Sequence, residues 1–190
     1  MPKGGEGARD LVSVVDTLCN IKRIGWLQRG VEAAETVCQH AFLAALLAGE
    51  IAAELRSRGE DVDVAKAVAA AAIHDLAEAE LGHPGNGVRA VVDWESLELE
   101  AMRRLYPHLY ELFQSYRKAD GKLGVLVSFA DKLATLIRAC RYAERGYDTR
   151  DLIEMFVKKL SGYPPPYPDL LKTYLARYCR GALSSQARAV

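Results

Sequence analysis

Apolar residues recur along most of this chain at the spacing of one face of an α-helix, and the alternation typical of a β-strand is absent. A first short helix is predicted over residues 9–19 by the apolar positions Leu11, Val14, Val15 and Leu18. Residues 20–34 carry two glycines and no sustained periodicity, which predicts an ordered loop. Thr36 then offers an N-cap, and the alanine- and leucine-rich segment after it predicts a long helix to Arg58, ended by Gly59.

The most apolar segment, residues 64–81, predicts a central helix that is buried around most of its circumference. Asp61 or Asp63 can cap its start, and one proline and three glycines over residues 82–87 end it. Further helices are predicted over 93–105, 107–117, 123–144 and 148–160.

The proline-rich segment 163–168 predicts an extended, polyproline-like connector to a last helix. Recruitment of an aromatic-lined peptide-binding domain is the alternative for this segment. The sequence therefore predicts an all-α fold, with residues 1–190 forming one helical bundle.

Size and charge narrow the function classes. A chain of 190 residues, half of them hydrophobic, is enough for one domain with a core. Lys plus Arg equals Asp plus Glu at 25 each, so no general field favours nucleic acid. No apolar run approaches the roughly 20 residues that span a bilayer, and residues 1–10 lack the apolar stretch of a signal peptide. We therefore expect a cytoplasmic protein that binds neither membrane nor nucleic acid.

The four cysteines lie far apart in the sequence and form no C-x-x-C pair, which makes a structural zinc knuckle improbable. We expect Cys19, Cys38, Cys140 and Cys179 to be buried small hydrophobic side chains.

Four polar residues in apolar helices are the candidates for chemistry. His74 and Asp75 interrupt the central helix, where burial without a partner would cost several kcal/mol. His40 and Asp131 lie in comparable apolar settings on two other predicted helices. An imidazole and a carboxylate from neighbouring positions can share one cation. Taken singly, each residue is better explained without a metal, as a histidine satisfied in the core or as an Asp131 paired with Lys132 or an arginine.

In combination, His40, then His74-Asp75, then Asp131 resembles the signature of the HD-domain metal-dependent phosphohydrolases. More narrowly, the segments around these residues, with Arg23-Ile24-Gly25-Trp26, Arg29 and Glu35 to Gln39, are similar to the 5′-deoxynucleotidase branch. The resemblance covers about residues 10–145, and leaves 146–190 as a C-terminal helical extension.

The resemblance implies that His40, His74, Asp75 and Asp131 bind one divalent ion, and Co, Mn, Fe, Ni, Zn and Mg all remain open. The ion would activate water and polarise a phosphoryl oxygen. Glu78 follows His74 by four residues, so on a continuous helix it would share that face and serve with Asp75 in catalysis as a general base or acid.

Substrate contacts are implied by the same resemblance. Arg23 would bind the phosphate and Trp26 would line the sugar pocket; without the resemblance, a solvated charge and a core anchor are the expected roles. The branch usually carries an aspartate where this chain has His83, which can still bind a sugar hydroxyl or the phosphate.

Three functions follow as hypotheses. The first is a homodimeric 5′-deoxynucleotidase that converts deoxyribonucleoside 5′-monophosphates into deoxyribonucleoside and phosphate. The second keeps the metal site but acts on a cyclic nucleotide, a nucleoside triphosphate or a non-nucleotide phosphate. The third is a helical scaffold whose His and Asp residues only satisfy one another.

Overall fold

The computed structural model describes residues 10–117 and 121–182; the first residue of the first predicted helix, Arg9, lies outside them. Within these residues the chain forms helices and no strand, which confirms the all-α prediction. The helices are α1 (Leu11–Asn20), α2 (Ile24–Leu27), α3 (Val37–Ser57), α4 (Val64–Ile73), α5 (Glu78–Leu81), α6 (Asn86–Arg89), α7 (Trp94–Leu105), α8 (Tyr110–Arg117), α9 (Lys122–Ala143), α10 (Arg150–Ser161) and α11 (Tyr167–Tyr178).

Helices α3, α4 and α9 form the centre of the molecule. Small residues allow α3 and α4 to approach closely: Ala48 and Ala70 are fully buried, and a Cβ on Gly49 would lie 2.9 Å from Val68 Cγ2. Helices α10 and α11 pack on α9, while α1 packs on α3 and α5. A second apolar cluster joins α1, α5 and α7.

Local capping explains why the predicted helix starts are close to those observed. Thr36 accepts a hydrogen bond from the Gln39 backbone N–H while the Gln39 side chain bonds back to Thr36, which makes a complete capping box. Asp63 and Asp93 accept backbone N–H groups at the starts of α4 and α7.

The predicted central helix is interrupted, so the prediction of one helix over residues 64–81 is wrong. Helix α4 ends at Ile73, and α5 begins only at Glu78. In the intervening turn the backbone bonds link residues three apart, such as Leu76 N–H to the Ile73 carbonyl (3.0 Å). The His74 ring also bonds the carbonyl of Ala71 (2.7 Å), which ties a side chain to the last turn of α4.

Two connecting segments also differ from the prediction. The loop predicted over 20–34 contains the short helix α2 and an antiparallel bridge between Lys22 and Thr36. The segment 163–168 is not extended: the Pro165-Pro166 peptide is cis, and the Tyr167 N–H bonds the Pro164 carbonyl (3.1 Å) in a turn that leads directly into α11.

The cysteines are not four isolated hydrophobic side chains, contrary to the expectation. Cys19 pairs with Cys38, and Cys140 pairs with Cys179, in two disulfides. Only Cys140 and Cys179 are buried. The partners are distant in sequence, and the packing of α1 on α3 and of the chain after α11 on α9 brings them together.

Helix α3 has the length and composition that a membrane span can have, although no uninterrupted apolar run in it approaches about 20 residues. A membrane span can contain a few polar residues, so the absence of an unbroken apolar run does not exclude one. Half of its most apolar window is buried inside the protein, against α4 and α9, and a core helix has the same composition.

Candidate metal centre and substrate pocket

Four side chains converge near the N-terminal end of α3. They are His40 on α3, His74 and Asp75 on the turn after α4, and Asp131 on α9. His40 Nε2 lies 3.0 Å from Asp131 Oδ1 and 3.9 Å from Asp75 Oδ2. His74 Nε2 lies 3.1 Å from Asp75 Oδ2 and 3.7 Å from Asp131 Oδ1. Two imidazoles and two carboxylates therefore surround one small volume.

The ring of His74 is oriented by its own backbone. Its Nδ1 lies 2.7 Å from the Ala71 carbonyl oxygen, so Nδ1 donates a proton and Nε2 faces the carboxylates of Asp75 and Asp131. A divalent ion requires the neutral form of the ring, in which Nε2 keeps its lone pair. Nε2 would then bind the ion together with the carboxylates, so the donor set fits a mixed histidine and carboxylate site.

The charges of the four groups are strongly coupled. Burial lowers the pKa of His40. For His74, burial also disfavours the proton, but the carboxylates of Asp75 and Asp131 prevail and raise its pKa to about 10. The pKa of Asp75 is lowered in spite of burial by the charge of His74, and that of Asp131 by hydrogen bonds from His40 and His74. Both carboxylates are therefore held in the ionised form that a cation requires.

Glu78 does not share a helix face with His74, because α4 ends between them. The turn nevertheless brings its carboxylate to Asp75: ligand oxygens of Asp75, Glu78 and Glu98 all lie within 4.8 Å of one another, and all three residues are buried. Burial and then the charge of Asp75 raise the pKa of Glu78 well above its ordinary value. The prediction that Glu78 and His74 share one helix face is therefore wrong, but the Glu78 carboxylate does lie beside the site.

Both oxygens of Glu78 have partners. His83 Nδ1 lies 2.8 Å from Oε2, and Arg89 donates from Nη2 to Oε1 at 2.8 Å. Burial, followed by the charge of Arg23, lowers the pKa of His83 to about 4, so its imidazole is neutral near pH 7. His83 lines the cavity that is described in the next paragraph, whereas Glu78 does not.

A cavity of about 540 Å³ opens over Asp75 and Asp131. Its wall is rich in cations: Arg23, Arg29, Arg89, Arg117, Lys132 and Lys159. The apolar part of the wall comes from Ile24, Trp26, Leu152, Met155 and Phe156. A polyanionic group can therefore be neutralised directly beside the donor side chains, with apolar surface close by.

The structure brings Arg23 to this cavity, where its Nη1 lies 3.4 Å from Thr135 Oγ1 and 3.5 Å from Glu35 Oε1. Trp26 is only 2% exposed, donates from Nε1 to Glu35 Oε1 (3.1 Å) and packs edge-to-face on Tyr142 at 5.0 Å between ring centroids. Trp26 is thus a core anchor that also contributes to the wall.

Sequence reasoning missed the central position of Glu35. This buried carboxylate bonds the Trp26 indole and accepts from Arg138 Nε at 2.7 Å, and it lies 3.9 Å from His40 Nδ1. It also missed Glu98, which is buried on α7 and pairs with Arg117. An acidic residue beside an N-cap or on a polar helix is usually exposed, so the sequence carries no signal of their burial.

Comparisons with known proteins indicate the family and the fold. The family model described as HD domain matches residues 15–161. The 5′-deoxynucleotidase HDDC2 of Bos taurus is 27% identical over 153 residues, which is 74% of this chain and 71% of that protein. The human HDDC2 is 26% identical over 153 residues, covering 74% and 72%.

Two solved structures are also similar. The PH0347 protein from Pyrococcus horikoshii superposes with a TM-score of 0.80 at 29% identity, covering 90% of this chain and 97% of that one. A conserved hypothetical protein from Pyrococcus furiosus gives a TM-score of 0.75 at 34% identity, covering 94% and 98%.

Proposed function

Because this chain belongs to the HD-domain family, we propose that it is a metal-dependent phosphohydrolase that removes phosphate from deoxyribonucleoside 5′-monophosphates. The observation that carries the proposal is the convergence of two imidazoles and two carboxylates on one small volume, with Nε2 of His74 facing both Asp75 and Asp131.

In this proposal His40, His74, Asp75 and Asp131 hold one divalent cation, with Co, Mn, Fe, Ni, Zn and Mg all compatible with the donors. Such a cation supplies Lewis acidity, which activates water as a nucleophile and polarises a phosphoryl oxygen. The chain supplies the geometry. The Ala71 carbonyl orients His74, and α9 places Asp131 opposite both histidines.

The remaining wall residues would position and neutralise the phosphate. Arg23 and Lys132 line the cavity beside Asp75 and Asp131, where a guanidinium and an ammonium balance a phosphate dianion. His83 presents a neutral ring to the same cavity. His83 Nδ1 and Glu78 Oε2 form a hydrogen bond, which would fix the ring nitrogen that meets the substrate.

The substrate class is supported by the relatives. The HDDC2 proteins are named 5′-deoxynucleotidases, and the cavity volume lies within the range usual for small-molecule sites. Since His83 replaces an aspartate usual in that branch, selection of deoxyribose over ribose is the part of the proposal that experiment must decide. The homodimer and the cytoplasmic location stay predictions.

The deciding assay compares phosphate release from deoxyribonucleoside and ribonucleoside 5′-monophosphates, with cobalt, with manganese and with chelator, for the wild type and Asp131→Ala. We expect release only from the metal-loaded wild type, and only from deoxy substrates. Equal release from ribose substrates would contradict the selectivity. No release from any monophosphate by protein shown to contain metal would contradict the nucleotidase.

A second candidate substrate follows from the cationic wall. A single phosphate monoester does not need every cation around the cavity, so a substrate with more phosphate charge is the alternative. Nucleoside triphosphates, cyclic nucleotides and non-nucleotide phosphates therefore belong in the same assay, and a preference for one of them would replace the monophosphate.

A further inference from the structure

One face of α10 forms a wall of the cavity. Leu152, Met155, Phe156 and Lys159 follow the i, i+3, i+4, i+7 pattern, and all four line the cavity. This helix follows the segment that carries the sequence resemblance. Met155 remains 43% exposed within this cavity wall, so its side chain is accessible to a ligand in the cavity.

Contacts at both ends of α10 fix this face relative to the rest of the pocket. At the start of α10, Asp151 Oδ1 accepts from Arg29 Nε at 3.2 Å, and Arg29 follows the short helix that carries Trp26. Just after α10, the Tyr163 hydroxyl bonds Ser128 Oγ (2.8 Å), and Lys132 Nζ donates to the same Oγ (2.6 Å). The α10 face is thus tied to α9, which carries Asp131.

Lys159 differs from the other cations of the wall. Arg23 pairs with Glu35, Arg29 with Asp151, Arg89 with Glu78, Arg117 with Glu98 and Lys132 with Asp131. For Lys159 no such ion pair is found among residues 10–117 and 121–182. Lys159 lines the same cavity as Asp131 and Lys132. A cation without a carboxylate partner in that wall is available for an anion.

We propose that the α10 face is a specificity wall of the active site, in which Lys159 binds the phosphate and Met155, with Phe156, covers the base of the nucleotide. This rests on the proposed function for the identity of the ligand. The division of labour follows from the arrangement: Lys159 lines the cavity together with Asp131, and the apolar, exposed Met155 lies one helical turn before it on α10.

Two matched pairs of variants test it. Lys159→Gln removes the cation, and its control, Lys158→Gln, removes an exposed lysine that does not line the cavity. Met155→Ala removes the apolar cover, and its control, Leu97→Ala, truncates a side chain on α7 with nearly the same exposure, 45% against 43%. All four positions are exposed or half-exposed, so folding should survive each change.

Binding is measured by calorimetry on the metal-loaded protein with the two reaction products, inorganic phosphate and deoxyadenosine, and KM is measured with deoxyadenosine 5′-monophosphate and with deoxyribose 5-phosphate. We expect Lys159→Gln to weaken phosphate binding about tenfold and to raise both KM values, since one charge-assisted contact is lost. We expect Met155→Ala to weaken deoxyadenosine about fivefold and to raise only the KM of the nucleotide.

The outcomes separate this inference from the proposed function. Product binding that shifts as expected in a protein without monophosphate hydrolysis would support the wall and contradict the nucleotidase. Hydrolysis by the wild type with unchanged constants in Lys159→Gln and Met155→Ala would overturn the wall and leave the nucleotidase intact. If neither product binds to the wild type, the wall is overturned as well.

Discussion

Trp26 shows how one side chain can serve both the core and the pocket. We expect Trp26→Phe to lower the free energy of unfolding by about 1–2 kcal/mol, because the buried Glu35 carboxylate loses the indole N–H that bonds it at 3.1 Å. Urea denaturation checks this. Trp94→Phe is the control, since the buried Trp94 Nε1 has no hydrogen-bond partner among the described residues. Equal costs in the two variants would contradict the role given to the Glu35 bond.

His83 stands where the resemblance to the 5′-deoxynucleotidase branch implies an aspartate, and its contact with Glu78 indicates what an aspartate would meet there. We expect His83→Asp to destabilise the metal-free protein by about 1–2 kcal/mol, because the bond to Glu78 is lost and a like charge is added beside it. Glu78→Gln in the same molecule should recover most of that loss, which a double-mutant cycle in urea measures. Additive effects would contradict direct coupling.

The candidate ligands could be chosen from sequence because each is a polar residue within an apolar segment, where burial demands a partner. The ion pairs around these ligands could not be predicted from sequence. Glu35 and Glu98 belong to segments whose pattern does not distinguish a buried carboxylate from a solvated one. Their partners, Arg138 and Arg117, lie far away in the chain, so only the fold reveals the pairs.

The packing of α3 on α4 depends on the absence of a side chain at Gly49, where a Cβ would approach Val68 Cγ2 to 2.9 Å. We expect Gly49→Leu to lower the free energy of unfolding by about 2–3 kcal/mol, because the β-branched Val68 has little freedom to move away. Ala53→Leu, at an exposed position of the same helix, is the control and should be nearly neutral. Thermal and urea unfolding of both variants measure the difference. A neutral Gly49→Leu would show that the two helices can separate without cost.

Helix starts were predictable because capping is local: Thr36, Asp63 and Asp93 each bond a backbone N–H three residues ahead. The break after Ile73 was not predictable, because residues 64–81 have a high helix propensity throughout. In spite of this propensity the helix ends at Ile73, and the turn after it places the His74 ring against the Asp75 carboxylate. The helix predicted over 148–160 begins at Arg150, and Thr149 before it does not cap α10, because its hydroxyl donates to the Ala139 carbonyl (2.8 Å).

Taken as one body, the protein gathers its candidate ligands from three segments that are also its central packing elements, so metal binding and folding should be linked. The ligands lie on α3, on the turn after α4 and on α9, and these helices pack directly on one another. The carboxylates of Asp75 and Asp131 lie 3.1 and 3.7 Å from the buried Nε2 of His74, so the centre gathers buried charges that a cation would bind. An unfolded chain holds no such centre, so any affinity for the cation stabilises the folded state.

Chelator should therefore lower the melting temperature of the wild type. A cation present at about 100 times its Kd adds about 2.7 kcal/mol, which corresponds to roughly 5–10 °C for a chain of this size. Differential scanning calorimetry with cobalt or manganese and with chelator measures the shift, and metal analysis of the same samples verifies the loading. Asp131→Ala should melt at one temperature in all three conditions, because it lacks a ligand. If the wild type binds metal but melts at the same temperature with chelator, the ion is held outside the centre formed by α3, α4 and α9.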